Sequence, residues 1–105
     1  SLDNVLVRVI ASVSYESDNK KVEKVLNELI EKLNTSIPEL KSKITIEGID
    51  SLSDSSVDYL LTTKSSVKDE FVVRRKLLKE MKNAFDQNGI EIPYPQVEVH
   101  NEKWV

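Results

Sequence analysis

The only histidine of the chain, His100, is the first place to look for catalysis or metal binding. A metal site needs several His, Cys or carboxylate ligands that converge, and no such spacing surrounds this residue. A Ser-His-Asp triad would have to use the same histidine, but the sequence contains no nucleophile-elbow motif. We therefore predict no catalytic residue, no metal and no cofactor, and we interpret His100 as a surface or interface residue.

Three aspartates, Asp50, Asp54 and Asp58, have a spacing that resembles a calcium-binding loop. The EF-hand pattern also requires a glycine at its sixth position and a closing glutamate, and both are missing. Asp and Ser side chains at this density are typical of turns, so we predict a hairpin turn over residues 50–56. Gly48 and Gly89 are too far apart to form a phosphate-binding loop.

The strongest charge feature is a basic cluster formed by Arg74–Lys76, Lys79 and Lys82. Such a cluster could bind acidic lipid head groups or RNA. RNA-binding domains stack bases on strand aromatics, and here only Tyr59 lies inside a predicted strand. The net charge of −3 also disfavours a nucleic-acid partner. We interpret the cluster as a solvated helix face and predict no nucleic-acid binding.

The periodicity of apolar residues predicts six elements in the order β-α-β-β-α-β. Strands follow from alternation and β-branched residues, and helices from apolar residues three or four positions apart. A chain of 105 residues fits one domain, so we predict one α+β domain over residues 1–105. The natural arrangement is a ferredoxin-like two-layer sandwich with both helices on one face of an antiparallel sheet. The predicted elements are strand 5–13, helix 18–33, strand 44–49, strand 57–63, helix 69–88 and strand 96–100.

The same patterns predict the core. One face of the first strand is apolar, whereas the other mixes Leu6 and Ile10 with polar residues, which suggests partial cover from outside the domain. Gly89 is predicted to end the second helix in the left-handed conformation, with Ile90 folding back onto Phe85. The predicted core is Val7, Val9, Val22, Leu26, Leu29, Leu33, Ile44, Ile46, Tyr59, Leu77, Leu78, Met81 and Phe85, with Phe71 at the near end of the second helix.

Three segments together resemble a known family. They are Ala11–Asp18, a strand that ends before an amphipathic helix; Ala84–Gly89, the end of the second helix; and Gly89–Gln96, which reads GIEIPYPQ. Two prolines flanking an aromatic residue after a glycine-capped helix form a specific pattern. The chain resembles, over essentially its whole length, the C-terminal cytoplasmic domain of MscS-type mechanosensitive channels.

The resemblance implies a structural and assembly domain rather than an enzyme. In such channels seven subunits form a cytoplasmic cage below a tension-gated pore, so it implies a homoheptamer on the cytoplasmic side of the membrane. The resemblance also implies a module without the family's membrane helices and middle β-domain. The hairpin and the connection 62–68 are the parts least similar to the family.

The resemblance also bears on the last strand, which either pairs with its own sheet or joins an intersubunit barrel. It favours the barrel, and Pro93 and Pro95 withhold backbone donors where the chain would dock. The predicted interface is Pro93, Tyr94, Pro95, Gln96, Val97 and Val99. Two alternatives remain open: a ferredoxin-like regulatory module that binds a small metabolite at a subunit interface, and a small enzyme of this topology.

Overall fold

The structure is a computed structural model, and it describes residues 3–93. The order of elements there is β-α-β-β-α, as predicted, and the predicted last strand at 96–100 lies outside the described residues. The elements are β1 (Asn4–Ser14), α1 (Asn19–Ser36), β2 (Thr45–Leu52), β3 (Ser56–Ser66), a 3-10 turn (Val67–Asp69) and α2 (Glu70–Gln87).

The described strands form one antiparallel sheet in the order β1-β3-β2. β3 is central and pairs with β1 along its whole length, from Asn4 opposite Ser66 to Ser14 opposite Ser56. β2 pairs with the other side of β3, and two register shifts interrupt that ladder. Gly48 lies at one of these shifts with a φ of 131°, and a glycine inside a strand often marks such an irregularity.

Alternation along the strands gives the sheet one buried face, which we call the inner face. Val7, Val9, Ala11 and Val13 of β1 are buried on it, and their partners on β3 include Tyr59 and Leu61. α2 packs mainly on β1, α1 contacts β2, and the two helices contact each other. Both helices therefore lie on the inner face, as predicted for a two-layer sandwich.

α1 is fixed at both ends by side-chain hydrogen bonds. The Asp18 carboxylate accepts a hydrogen bond of 3.0 Å from the Lys20 N–H, which satisfies one of the free donors of the first turn. At the other end, the side-chain oxygen of Asn34 accepts from the Ile44 N–H at 2.8 Å and so couples the helix to the start of β2. The predicted apolar stripe is buried in full: Val22, Val25, Leu26, Leu29, Ile30 and Leu33.

The predicted stripe on α2 was too wide. Val73, Leu77, Met81 and Phe85 are buried, whereas Leu78 is 45% exposed. The buried residues recur every four positions, and Leu78 lies about 100° further round the helix than Leu77, beyond the edge of the contact with the sheet. Phe71, which we also expected to be packed, is 60% exposed. Ile46, another predicted core residue, is only partly buried against the core.

The hairpin and the connection after it contain more strand than the sequence indicated. β2 extends to Leu52 and β3 begins at Ser56, so the turn is much shorter than the predicted 50–56, and the Ser53 N–H donates to the Ser56 carbonyl at 2.9 Å. The connection predicted at 62–68 is mostly the end of β3. Thr63 ends the predicted strand and Ser65 lies in the predicted connection, and both are buried there because they face the helices and pair with β1.

Candidate assembly surface

The end of α2 forms the predicted glycine cap. Gly89 has a φ of 65°, the left-handed region that favours glycine. The Ile90 N–H donates to the Phe85 carbonyl at 2.9 Å, and the Gly89 N–H donates to the Asp86 carbonyl at 3.4 Å. This pair of hydrogen bonds is the Schellman motif, and the buried side chains of Ile90 and Phe85 supply its apolar contact.

The cap directs the chain toward the end of β1. The Ser14 N–H donates to the Glu91 carbonyl at 2.9 Å, so the segment after the helix meets the last residue of the edge strand. Of the predicted interface residues, only Pro93 is described, and it is half-buried. Tyr94, Pro95, Gln96, Val97 and Val99 lie outside the described residues, and so does His100.

The face of the sheet opposite the helices, which we call the outer face, carries exposed apolar side chains. Leu6 is 46% exposed and Ile10 is 41% exposed, and Ile10 pairs with the half-buried Leu60 of β3. Among the described residues nothing covers this face. The sequence identified Leu6 and Ile10 as candidates for contact outside the domain, and the structure leaves them accessible.

A carboxylate at one end of the outer face joins the three strands. Asp58 of β3 accepts hydrogen bonds from the hydroxyls of Ser12 at 2.7 Å, Ser51 at 2.7 Å, Ser56 at 3.0 Å and Ser53 at 3.4 Å. Partial burial raises the pKa of Asp58, but the four hydrogen bonds outweigh it and hold the pKa below its ordinary value. Ser51, Ser53 and Ser56 were predicted to form the turn and Ser12 to lie in the first strand; here all four support the ends of the strands.

Tyr59 is the largest fully buried side chain of the core. Its hydroxyl donates to the Glu23 carboxylate at 3.2 Å, at the surface of α1. Burial, the Glu23 charge and this hydrogen bond raise the pKa of Tyr59 to about 12. The contact satisfies a polar atom at the edge of the core; it does not form a reactive centre.

Part of the basic cluster is used within the fold. Arg74 donates to the backbone carbonyl of Arg8 on the edge strand β1 and pairs with Glu70 at 3.4 Å. Lys76 binds Glu39 at 2.8 Å, and this hydrogen bond lowers the pKa of the Glu39 carboxyl, against a small opposing effect of desolvation. These two cations join α2 to β1 and to the segment after α1.

The rest of the cluster points away from the sheet. The Arg75 guanidinium lies 5.9 Å from the centre of the Phe71 ring, and Leu78 and Lys79 lie along the same side of the helix. Lys82 pairs with Asp86 at the end of this stripe. The face is solvated, as predicted, but Phe71 and Leu78 make it partly apolar.

Neither helix of residues 3–93 is long and apolar enough to span a membrane. In the same residues, no three His, Cys, Asp or Glu side chains come together as they would around a metal ion. The grooves between α1 and α2 and beside residues 90–93 are open to solvent. The described residues therefore present open grooves and exposed apolar side chains at the surface of the domain.

The fold is that of a two-layer α+β domain, and comparison with known proteins gives its family. Residues 7–92 match the family model "Mechanosensitive ion channel MscS, C-terminal", which covers both helices and nearly the whole sheet. The chain belongs to this family. The predicted resemblance is thereby confirmed.

Individual relatives agree with the family match. An MscS family protein of Buchnera aphidicola subsp. Acyrthosiphon pisum is 38% identical over 91 residues, which are 87% of this chain and 29% of the relative. The small-conductance mechanosensitive channel of Helicobacter pylori is 31% identical over 94 residues, which are 86% of this chain and 32% of the channel. The chain thus spans about a third of the length of these relatives.

A solved structure shows the same fold. The closed-state crystal structure of Helicobacter pylori MscS superposes with a TM-score of 0.71 and 26% sequence identity, and the match covers 92% of this chain and 38% of that one. The residues matched by the family model, 7–92, extend across the hairpin and residues 62–68.

Proposed function

We propose that this domain is a structural and assembly part of a mechanosensitive channel subunit. Residues 1–105 act as one domain without enzymatic activity, on the cytoplasmic side of the membrane, and contribute to a cage below a tension-gated pore. The observation that carries the proposal is the match of residues 7–92 to the family model of the MscS C-terminal domain, together with the superposition of 92% of this chain on a solved MscS structure. The family's membrane helices and middle β-domain would supply the pore.

The proposal includes self-association in a ring of seven subunits. Two features support contact between copies: the exposed Leu6 and Ile10 on the outer face, and the glycine cap that directs residues 90–93 past the end of β1. We assign the interface role to Pro93, Tyr94, Pro95, Gln96, Val97 and Val99, with Val97 and Val99 on the inside of an intersubunit barrel.

A chimeric channel tests the proposal. The C-terminal domain of the Helicobacter pylori channel would be replaced by this chain and expressed in bacteria without mechanosensitive channels of their own. We expect oligomers of the native size, tension-activated currents in membrane patches and survival of hypo-osmotic shock. A matched control carries Phe85→Ala, which removes the centre of the helix–sheet core. A chimera that reaches the membrane but neither assembles nor conducts would contradict the proposal.

A further inference from the structure

Two exposed surfaces of the domain are complementary in charge. The first is the turn of the β2–β3 hairpin, where Ile49 is 47% exposed and Leu52 is 62% exposed. Residues 44–63 contain four acids and no lysine or arginine. We call this surface the acidic hairpin and define it by its exposed residues, Glu47, Ile49, Asp50, Leu52 and Asp54.

The second surface is the outward side of α2. Phe71 and Leu78 are 60% and 45% exposed there. The salt bridges of the described residues engage Arg74, Lys76 and Lys82, and they leave Arg75 and Lys79 without an acidic partner. We call this surface the basic face and define it as Phe71, Arg75, Leu78, Lys79 and Lys82.

The fold places these surfaces on opposite sides of the domain. β2 is one edge strand of the sheet and β1 is the other, and α2 packs mainly on β1. The acidic hairpin therefore cannot reach the basic face of its own copy. It can reach that of a neighbouring copy, and each surface offers two exposed apolar side chains to bury between opposite charges.

We propose that the acidic hairpin of one copy docks on the basic face of the next copy. Such a contact is heterologous, since each copy uses a different surface toward each neighbour, and contacts of this type build rings when the rotation closes. The inference rests on the proposed function, because it names the surfaces through which copies of this domain meet. It is independent of the barrel assigned to residues 93–99.

The isolated chain tests the contact through two charge-reversed variants. One carries Asp50→Lys and Asp54→Lys, and the other carries Arg75→Glu and Lys79→Glu. Each variant has two surfaces of the same sign and should not self-associate. Mixed together they restore one opposite-charge pair with the native residues on both sides, so the mixture should associate. A control with the same change of total charge as the second variant carries Lys20→Glu and Lys24→Glu on the exposed side of α1.

Self-association would be followed by amide chemical shifts during dilution from millimolar concentration. We expect the wild-type chain and the α1 control to show concentration-dependent shifts confined to the two surfaces, and each reversed variant alone to show none. The inference is wrong if the wild-type chain shows no such shifts, if the shifts lie elsewhere, or if either variant associates alone as well as the wild type.

The chimeric channel separates this inference from the proposed function. We expect Arg75→Glu with Lys79→Glu to weaken its assembly, and Lys20→Glu with Lys24→Glu to leave it unchanged. If the chimera assembles and conducts equally well with both pairs of changes, the proposed function stands and the contact proposed here is excluded. A chimera that fails even with the native sequence would instead contradict the proposed function.

Discussion

Substitution of Gly89 should reveal the cost of the backbone conformation that ends α2. Its φ of 65° is strained for L-residues, by about 1–2 kcal/mol. An added Cβ would meet only the Lys21 ammonium, at 4.0 Å, so no steric clash contributes. Alanine lowers the conformational entropy of the unfolded chain relative to glycine, and this offsets about 0.4–1 kcal/mol of the strain. We therefore expect Gly89→Ala to lower the free energy of unfolding by about 1 kcal/mol.

A series of side chains at this position makes the test sharper. Gly89→Val should cost roughly 2 kcal/mol or more, since a β-branched residue is strained further at positive φ. Gly89→Asn should cost least, because asparagine tolerates this conformation. Thermal unfolding resolves the series, as 1 kcal/mol shifts the Tm of a domain near this size by about 4–8 °C.

The order of the three variants decides whether the explanation is correct. If Asn and Val lowered the Tm equally, the cost would come from adding any side chain and not from the positive φ. An unchanged Tm for Gly89→Val would mean that the cap is not needed for stability. Amide exchange gives an independent check, because the Ile90 N–H donates across the cap to Phe85 at 2.9 Å and should lose protection in the valine variant.

Three further predictions concern the core and its titrating groups. In urea unfolding, Leu77→Ala should lower the free energy of unfolding by about 2–5 kcal/mol and Leu78→Ala by less than about 0.5 kcal/mol. Similar losses for the two variants would contradict the finding that Leu77 is buried and Leu78 is not. Because the pKa of Asp58 is lower in the folded chain, its ionised carboxylate stabilises the fold when the pH is above the pKa of the unfolded chain. This stabilisation is lost as the pH falls through the pKa of the folded chain. Asp58→Asn should therefore flatten the acid side of the stability profile, whereas Asp54→Asn in the exposed turn should not. Because the pKa of Tyr59 is raised to about 12, the free energy of unfolding should fall as the pH rises above 10.0, the ordinary pKa of tyrosine. Ultraviolet titration of the folded chain should show a late phase that Tyr59→Phe removes.

Most of the fold could be predicted because local pattern and tertiary packing agree. The alternation from Val5 to Val13 and the apolar stripe of α1 each have one periodicity and one buried face. Gly89 could be identified from sequence because glycine adopts the left-handed conformation at the end of a helix without steric cost. In these places the physical requirement acts on single residues or on regular spacings, which a sequence displays directly.

The errors lie where a residue type permits two environments. Leu78 extends the apolar spacing of α2, but whether a helix buries a narrow or a wide stripe depends on how it lies on the sheet. Ser65 has a polar side chain and lies beyond the predicted strand, yet it is buried in β3 because the ladder with β1 continues past it. The four serines around Asp58 have turn propensity, and only the register of three strands brings them to one carboxylate.

The candidate surfaces could be predicted only in part, because an interface depends on which residues the fold leaves uncovered. Leu6 and Ile10 stood out since they interrupt a polar face of a strand. The basic cluster was visible in sequence, but its opposition to an acidic hairpin follows from the strand order and from the packing of α2 on β1.

A weak contact suits the proposed ring. Each complementary surface has only two exposed large apolar side chains, so the contact should fall below the roughly 1,200 Å² that specific stable interfaces bury. In a channel the membrane segments would bring the copies together, and the contact between neighbouring domains would form within one assembly at an effective concentration in the millimolar range and add to its stability. A strong heterologous contact would add free chains without limit unless its rotation closed. Low affinity therefore allows the domains to order themselves within the ring and keeps separate chains from forming filaments.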